Sequence, residues 1–304
     1  PAIFLMLLLL IAPVFVAAAL SMTDYSLGNS GFNWIGLENY EKLFSRRSYA
    51  KMFSASLTYV LLVVPISVAL GLGAALLISS LKIGGELYKA IFFLPVMATL
   101  LAMAIVWEFA LNPIVGVVND ILRSGCDKDI IYAFLTGSWY GNNALESWYG
   151  SSCEKKFPLW LGDKKYALGT IAFIGIWQAF GFNMVLYLAG LTSVPRELYQ
   201  AAHMDGAHSA WERFKLVTWP MLGPTHVFVI TISSIRSFQV FDTVEALTEG
   251  GPSKSTYVMV YAMFEKGVRQ NLLGVGSAIT IVFLVFVLIL TLIQVYFVNR
   301  RVHY

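Results

Sequence analysis

Apolar and polar positions follow one another along this chain in long blocks. Six blocks are almost wholly apolar, and each is long enough to cross a hydrocarbon core, which takes about 20 helical residues. Inside a bilayer a chain satisfies its backbone groups by forming helices. The pattern therefore predicts an all-α fold, a polytopic membrane protein with six transmembrane helices in a single domain over 1–304. The predicted spans are 2–20, 53–79, 90–111, 167–191, 225–247 and 274–298.

Composition supports a membrane protein. Apolar residues make up 58% of the chain and charged residues only 13%, whereas soluble domains carry about 25% charged residues. The first apolar block lacks the basic start and the small-residue cleavage site of a signal peptide, so it is expected to be a retained anchor. The net charge of +3 is not gathered into a basic surface. Nothing therefore indicates nucleic-acid binding.

The polar segment 193–224, between the fourth and fifth spans, is expected to begin with a short helix. Ser193 is predicted to cap this helix, and Pro195 suits its first turn. Glu197 then places a carboxylate where the helix dipole favours negative charge.

The same segment carries a signal that ends this helix. Gly206 is free to adopt a positive φ, which stops a helix. Asp205 is expected to cap a second short helix over 207–216. Taken alone, these residues describe an amphipathic loop with a helix stop, between two spans.

The 193–224 segment resembles the EAA loop of ABC-importer permeases. In that family Glu-Ala-Ala, Asp-Gly-Ala and a downstream proline form a coupling helix that docks into the ATPase subunit. Here the proline positions are Pro220 and Pro224. The resemblance implies a role in ATPase coupling for Glu197, Ala201, Ala202, Asp205, Gly206 and Ala207.

A second resemblance lies in the fifth span. The sequence Phe-Gln-Val-Phe-Asp at 238–242, followed by Leu-Thr-Glu-Gly-Gly-Pro at 247–252, is similar to the maltose-type, or carbohydrate uptake 1, permeases. This family implies the fold of type I ABC importer permeases and solute contacts on the fourth and fifth spans. Ser237 and Val240 stand where the maltose pattern has asparagines, so maltose itself is not expected.

Polar groups on these two spans, together with aromatic and apolar side chains beside them, are candidate solute contacts. Such groups are costly in hydrocarbon unless they are paired or face a water-filled cavity. Aromatic faces beside amides suit a sugar, whose C–H faces stack on rings while its hydroxyls need donors and acceptors. Alternatively, Arg236 pairs with Asp242 or Glu245 and is only structural. The candidates are Trp177, Gln178, Phe182, Arg236, Ser237, Gln239 and Val240.

The chain carries no visible catalytic site. Its four histidines lie near no arranged nucleophile, and it lacks the Gly-x-x-x-x-Gly-Lys phosphate loop. It is therefore predicted not to be an enzyme and to bind no cofactor or metal, with ATP and Mg²⁺ held by partners. The resemblance implies a second homologous permease, two ATPase subunits, a periplasmic or lipid-anchored solute-binding protein and membrane lipid as partners.

The orientation of the chain is taken from the 193–224 segment, because Lys and Arg in the short loops give no clear answer. An ATPase reaches this segment only from the cytoplasm of a bacterial cell, so the polar insert 112–166 is expected to be external. Cys126 and Cys153 lie in this insert, and on the oxidising side they are predicted to form a disulfide.

Two other classes of protein remain open at this stage. An ion-coupled secondary transporter would have a buried acidic ion site, and a membrane-embedded enzyme or signalling component would have a catalytic cluster. Within the importer class, the solute could be a disaccharide, an oligosaccharide, a polyol glycoside or a glycerol phosphate.

Overall fold

The fold is helical, as predicted. The computed structural model describes residues 2–81, 83–119, 121 and 158–299. Within these residues the only β-structure is an isolated antiparallel bridge between Thr23 and Trp34.

Within the described residues, five helices are long and apolar enough to cross a membrane, and a bent helix pair brings the number to six if the pair is counted as one span. The long helices are α1 (Ala2–Ser21), α3 (Arg47–Ser80), α6 (Ala167–Thr192), α9 (Gly223–Phe238) continued by α10 (Asp242–Leu247), and α12 (Leu273–Asn299). The shorter helices are α2 (Glu38–Ser45), α4 (Gly85–Met97), α5 (Leu100–Ala110), α7 (Arg196–Met204), α8 (Ala210–Arg213) and α11 (Met259–Phe264). Single π-helical turns occur at Leu7–Ile11, Phe214–Thr218 and Glu265–Arg269, and Trp219–Met221 forms one further helical turn.

The third predicted span is bent rather than straight. Helix α4 continues through Pro95 to Met97, and the two helices of the pair meet at an angle of 98°. Ala98 and Thr99 between them have extended backbone, and the Thr99 hydroxyl accepts a hydrogen bond from the Ala102 backbone N–H. This cap starts α5 in a new direction.

Small residues allow the long helices to approach closely. At Gly71 on α3, an added Cβ would lie 2.7 Å from the Asn183 Cβ of α6. At Gly181 it would lie 2.1 Å from the backbone oxygen of Phe92 on α4. Membrane helices associate through such contacts because lipid provides no hydrophobic force between them. Helix α6 therefore packs closely against both α3 and α4.

The first helix contributes little to this core. Between its ends α1 buries no apolar side chain within the chain, and Ser21 is its one buried residue. The side chain of Asn39 on α2 donates hydrogen bonds to the backbone oxygens of Ser21 and Thr23, both 2.9 Å long. These bonds fix the end of α1, while its apolar surface is free to face lipid.

Candidate functional site

Helix α7 begins at Arg196, two residues later than a cap at Ser193 would place its start. Pro195 occupies the N-cap position with extended backbone, and no side chain caps the helix. Ser193 instead donates its hydroxyl to the Gly190 backbone oxygen at 2.7 Å and so belongs to the end of α6. The prediction that Ser193 caps α7 is therefore wrong. Glu197 lies in the first turn of α7, as predicted, and is exposed.

Gly206 ends α7 in the predicted way. Its φ is +93°, its N–H donates to the His203 oxygen, and the Ala207 N–H donates to the Ala202 oxygen. This pair of bonds is a Schellman motif, which needs a left-handed residue at the glycine position. Asp205 is the C-cap of α7. The motif residues thus define how the helix stops.

The second helix of the loop is capped by a different residue from the one expected. The Ser209 hydroxyl accepts from the Glu212 N–H at 3.1 Å, and Glu212 accepts from the Ser209 N–H at 2.9 Å. This capping box starts α8, so the prediction that Asp205 caps a helix over 207–216 is wrong. The hydrogen bond from the Ser209 backbone lowers the pKa of Glu212 below its ordinary value.

The loop presents apolar side chains at its surface. Met204 is 86% exposed, Trp211 70% and Leu216 63%. The hydroxyls of Tyr199 and Thr218 hydrogen-bond at 3.0 Å and hold α7 against the segment that follows. Exposed apolar groups on an ordered, polar-rimmed surface are typical of protein interaction sites.

A cavity of about 340 Å³ lies between α3, α6 and the broken fifth span. The structure brings six of the seven candidate solute contacts together in its lining. They are Gln178, Phe182, Arg236, Ser237, Gln239 and Val240. Trp177 is outside this lining, and its ring packs edge-on against that of Trp107 with centroids 5.5 Å apart. A solute-contacting role for these residues stays a prediction.

The fifth span is discontinuous beside the cavity. Helix α9 ends at Phe238, the Gln239 N–H turns back to the oxygens of Ile235 and Arg236, and α10 begins at Asp242. Non-helical backbone at membrane depth is tolerated where it lines a water-filled space. The non-helical backbone at the break is therefore expected to form its hydrogen bonds with water or solute in the cavity.

Arg236 is held by an aromatic ring. Its guanidinium lies 3.9 Å from the centroid of Phe182, an arrangement that stabilises a cation. Glu245 pairs with Arg269 at 2.6 Å. Asp242 lines the same cavity as Arg236, but within the described part of the chain neither Asp242 nor Glu245 forms an ion pair with it. The alternative in which Arg236 pairs with Asp242 or Glu245 is therefore not found in this structure.

Two further residues of the cavity wall are not among the seven candidate solute contacts. Asn183 donates to the Ser67 hydroxyl at 3.2 Å and accepts from the Ser233 hydroxyl at 2.8 Å, which joins α3, α6 and α9. Tyr59 of α3 also lines the cavity. The signal for Tyr59 in the sequence is a phenol near the start of an apolar block, just after Ser54, Ser56 and Thr58.

The predicted disulfide cannot be located in this geometry. Cys126 and Cys153 lie outside the described residues, as does most of the 112–166 insert. Their pairing stays a prediction.

Comparisons with known proteins agree on one kind of protein. A family model described as binding-protein-dependent transport system inner membrane component matches residues 67–303. The sn-glycerol-3-phosphate transport system permease protein UgpA of Agrobacterium fabrum is 27% identical over 287 residues, covering 93% of this chain and 87% of that protein. The probable ABC transporter permease protein YesP of Bacillus subtilis is 29% identical over 299 residues, covering 97% and 86%.

Two solved structures share the fold. One is a bacterial ABC transporter involved in the import of the acidic polysaccharide alginate, with a TM-score of 0.76 and 22% identity over 99% of this chain and 93% of that chain. The other is a bacterial alginate ABC transporter in complex with an alginate pentasaccharide-bound periplasmic protein, with a TM-score of 0.77 and 20% identity over 99% and 92%. The likeness confirms the predicted importer-permease fold.

Proposed function

Because this chain belongs to the family of binding-protein-dependent transport system inner membrane components, we propose that it is one permease subunit of an ATP-driven importer for a sugar or a related polyhydroxylated solute. Family membership and the apolar helices make it a multi-pass inner membrane protein. Solute class, energy coupling and partners are parts of the proposal.

One observation carries the proposal. The candidate solute contacts on α6 and on the α9 end meet in one cavity, and these two helices flank the 193–224 loop directly. A cavity of about 340 Å³ falls within the usual range of small-molecule sites, about 300–1,000 Å³. Its amide, hydroxyl and guanidinium groups beside Phe182 suit a solute with many hydroxyls.

The names of similar proteins support this solute class. One relative is named for sn-glycerol-3-phosphate, and the solved chains belong to transporters of alginate. Both solutes are polyhydroxylated and anionic. Arg236, which has no described ion partner, is the group that would meet an anionic part of such a solute.

The 193–224 loop supplies the proposed coupling site. Its exposed apolar side chains and its Schellman stop give a fixed surface, to which an ATPase subunit can bind from the cytoplasm. ATP and Mg²⁺ would be bound by two such subunits. A second homologous permease completes the pathway, and a solute-binding protein delivers the solute at the opposite face, where the 112–166 insert lies. Closure of the ATPases then rocks the helices between inward-facing and outward-facing states.

The test is uptake by the reconstituted complex. The chain, expressed in its native host, should co-purify with an ATP-binding subunit. In vesicles, uptake of radiolabelled sn-glycerol 3-phosphate, maltose or alginate oligosaccharides should require ATP and the binding protein. An ion-coupled secondary transporter would instead lose uptake when an ionophore collapses the ion gradient, and would keep it without ATP.

The solute contacts are tested in the same vesicles. Arg236→Ala should reduce uptake and leave basal ATP hydrolysis and assembly intact, because it changes the cavity and not the loop. Arg47→Ala, which removes an exposed arginine at the start of α3, is the control. Normal uptake in both Arg236→Ala and Gln239→Ala would remove the fifth span from the site.

A further inference from the structure

Tyr59 has a hydroxyl for which the described residues provide no partner. The side chain is only 4% exposed, and it lines the cavity between α3 and α6. Three other buried tyrosines form hydrogen bonds within the chain. The hydroxyl of Tyr187 hydrogen-bonds His226 Nδ1 at 2.9 Å, that of Tyr257 donates to Glu265, and that of Tyr261 accepts from Arg269.

The opposite helix makes room for the Tyr59 hydroxyl without bonding to it. At Gly175 of α6, an added Cβ would lie 2.2 Å from the hydroxyl oxygen and 3.2 Å from the ring carbon that bears it. Gly175 lines the same cavity. A glycine at this position lets the end of the ring reach the cavity, about one helical turn before Gln178.

An unsatisfied hydroxyl inside a membrane protein is costly. Tyr59 avoids that cost if its hydroxyl bonds to the contents of the cavity. We infer that Tyr59 is a solute-contacting, specificity-determining residue, whose hydroxyl hydrogen-bonds a hydroxyl or an anionic oxygen of the transported solute. It lines the site from α3, while Phe182 and Arg236 line it from α6 and α9. This inference rests on the proposed function for its ligand, but its geometry can be tested separately.

The first experiment tests whether position 59 faces a water-filled cavity. With Cys126 and Cys153 changed to serine, the full complex carrying Tyr59→Cys is treated with a water-soluble methanethiosulfonate reagent. Tyr187→Cys is the matched control, because Tyr187 is fully buried and lies outside the cavity lining. Reaction of Tyr59→Cys but not of Tyr187→Cys is expected. Equal reaction of both, or no reaction of Tyr59→Cys, overturns the inference.

The second experiment removes the hydroxyl oxygen alone. Tyr59→Phe should lower uptake of whichever probe the wild type transports (sn-glycerol 3-phosphate, maltose or alginate oligosaccharides) by about 3- to 10-fold, which is the worth of one hydrogen bond. Basal ATP hydrolysis and the melting temperature should stay unchanged, since no bond within the described chain is lost. Tyr187→Phe should leave uptake unchanged and lower the melting temperature, because it removes the hydrogen bond to His226.

A steric variant separates contact from packing. Gly175→Ala should displace the Tyr59 ring and reproduce the uptake defect, whereas Gly169→Ala on the same helix meets no atom within 4 Å and should not. Wild-type uptake in Tyr59→Phe would refute the role of Tyr59. If the wild-type complex transported none of the probes, the proposed function would fail, and the thiol experiment would still decide whether Tyr59 faces the cavity.

Discussion

The glycine that ends α7 gives the sharpest test of the loop. Gly206 has a φ of +93°, and no atom lies within 4 Å of the place where a Cβ would stand. Gly206→Ala therefore meets no neighbour, and its cost is confined to the backbone. A left-handed conformation costs a non-glycine residue about 1–2 kcal/mol, which changes the equilibrium of the turn by a factor of about 5–30. Gly206→Val should cost more, because β-branched side chains are the least tolerant of positive φ.

Loss of this turn should uncouple the 193–224 loop from the ATPase subunit. The bond from the Ala207 N–H to the Ala202 oxygen depends on the glycine conformation, and Ala207 is buried where α7 ends. The assay is ATP hydrolysis by the reconstituted complex, with and without solute-loaded binding protein. We expect stimulated hydrolysis to fall in Gly206→Ala and to fall further in Gly206→Val, with the 340 Å³ cavity unaffected.

Gly84 provides a matched control. It has a φ of +83°, no atom within 4 Å of its Cβ position, and a place in the turn between α3 and α4. With six spans, as predicted from the sequence, this turn lies on the same side of the membrane as the loop. Gly84→Ala should thus impose similar backbone strain and leave stimulated ATP hydrolysis unchanged. Normal stimulated hydrolysis in Gly206→Val, or equal loss in Gly84→Ala, would refute the assignment.

Three further predictions concern other parts of the chain. Mass spectrometry of unreduced peptides should find Cys126 joined to Cys153, a link worth about 3–4 kcal/mol on a chain-entropy estimate; alkylation of both thiols in the native protein would contradict it. Asn183→Ala removes two interhelical hydrogen bonds, each worth about 0.6 kcal/mol on average in a membrane protein, so the melting temperature in detergent should fall. The lowered pKa of Glu212 means that its cap contributes fully above the ordinary carboxyl pKa and is lost as pH falls through the folded value. The protection of the α8 amides against hydrogen exchange, measured relative to the intrinsic exchange rate at each pH, should therefore fall at low pH, and Glu212→Gln should remove this dependence.

The helical membrane spans and the helix stop were predictable because both are local properties. An apolar block of sufficient length has few alternatives to a membrane helix, and Gly206 followed by a small apolar residue encodes a Schellman motif over a few residues. Choosing between two caps was harder. Asp205 and Ser209 are both good N-cap residues, and only Ser209 has Glu212 three residues later to complete a capping box. That signal was present in the sequence and was missed.

The cavity depends on information that is not local. Trp177 and Gln178 are consecutive on a helix, so they point in different directions, and the structure places only Gln178 in the cavity lining. Sequence reasoning could not choose between them without the neighbouring helix. Tyr59 lies on α3, more than 100 residues before Gln178, and its relevance depends on the close approach of Gly175.

Contacts between α6 and α9 explain how a displaced loop could act on the cavity. Near the loop, an added Cβ at Gly190 would lie 2.5 Å from the Thr225 hydroxyl, so the two helices touch there. Deeper in the membrane, the 2.8 Å bond from Ser233 to Asn183 joins them again. Two contacts at different heights resist both sliding and rotation of one helix against the other. On the proposed function, a pull on the loop therefore moves both cavity walls together. Because the span is broken after Phe238, α10 can keep its ion pair between Glu245 and Arg269 while α9 moves.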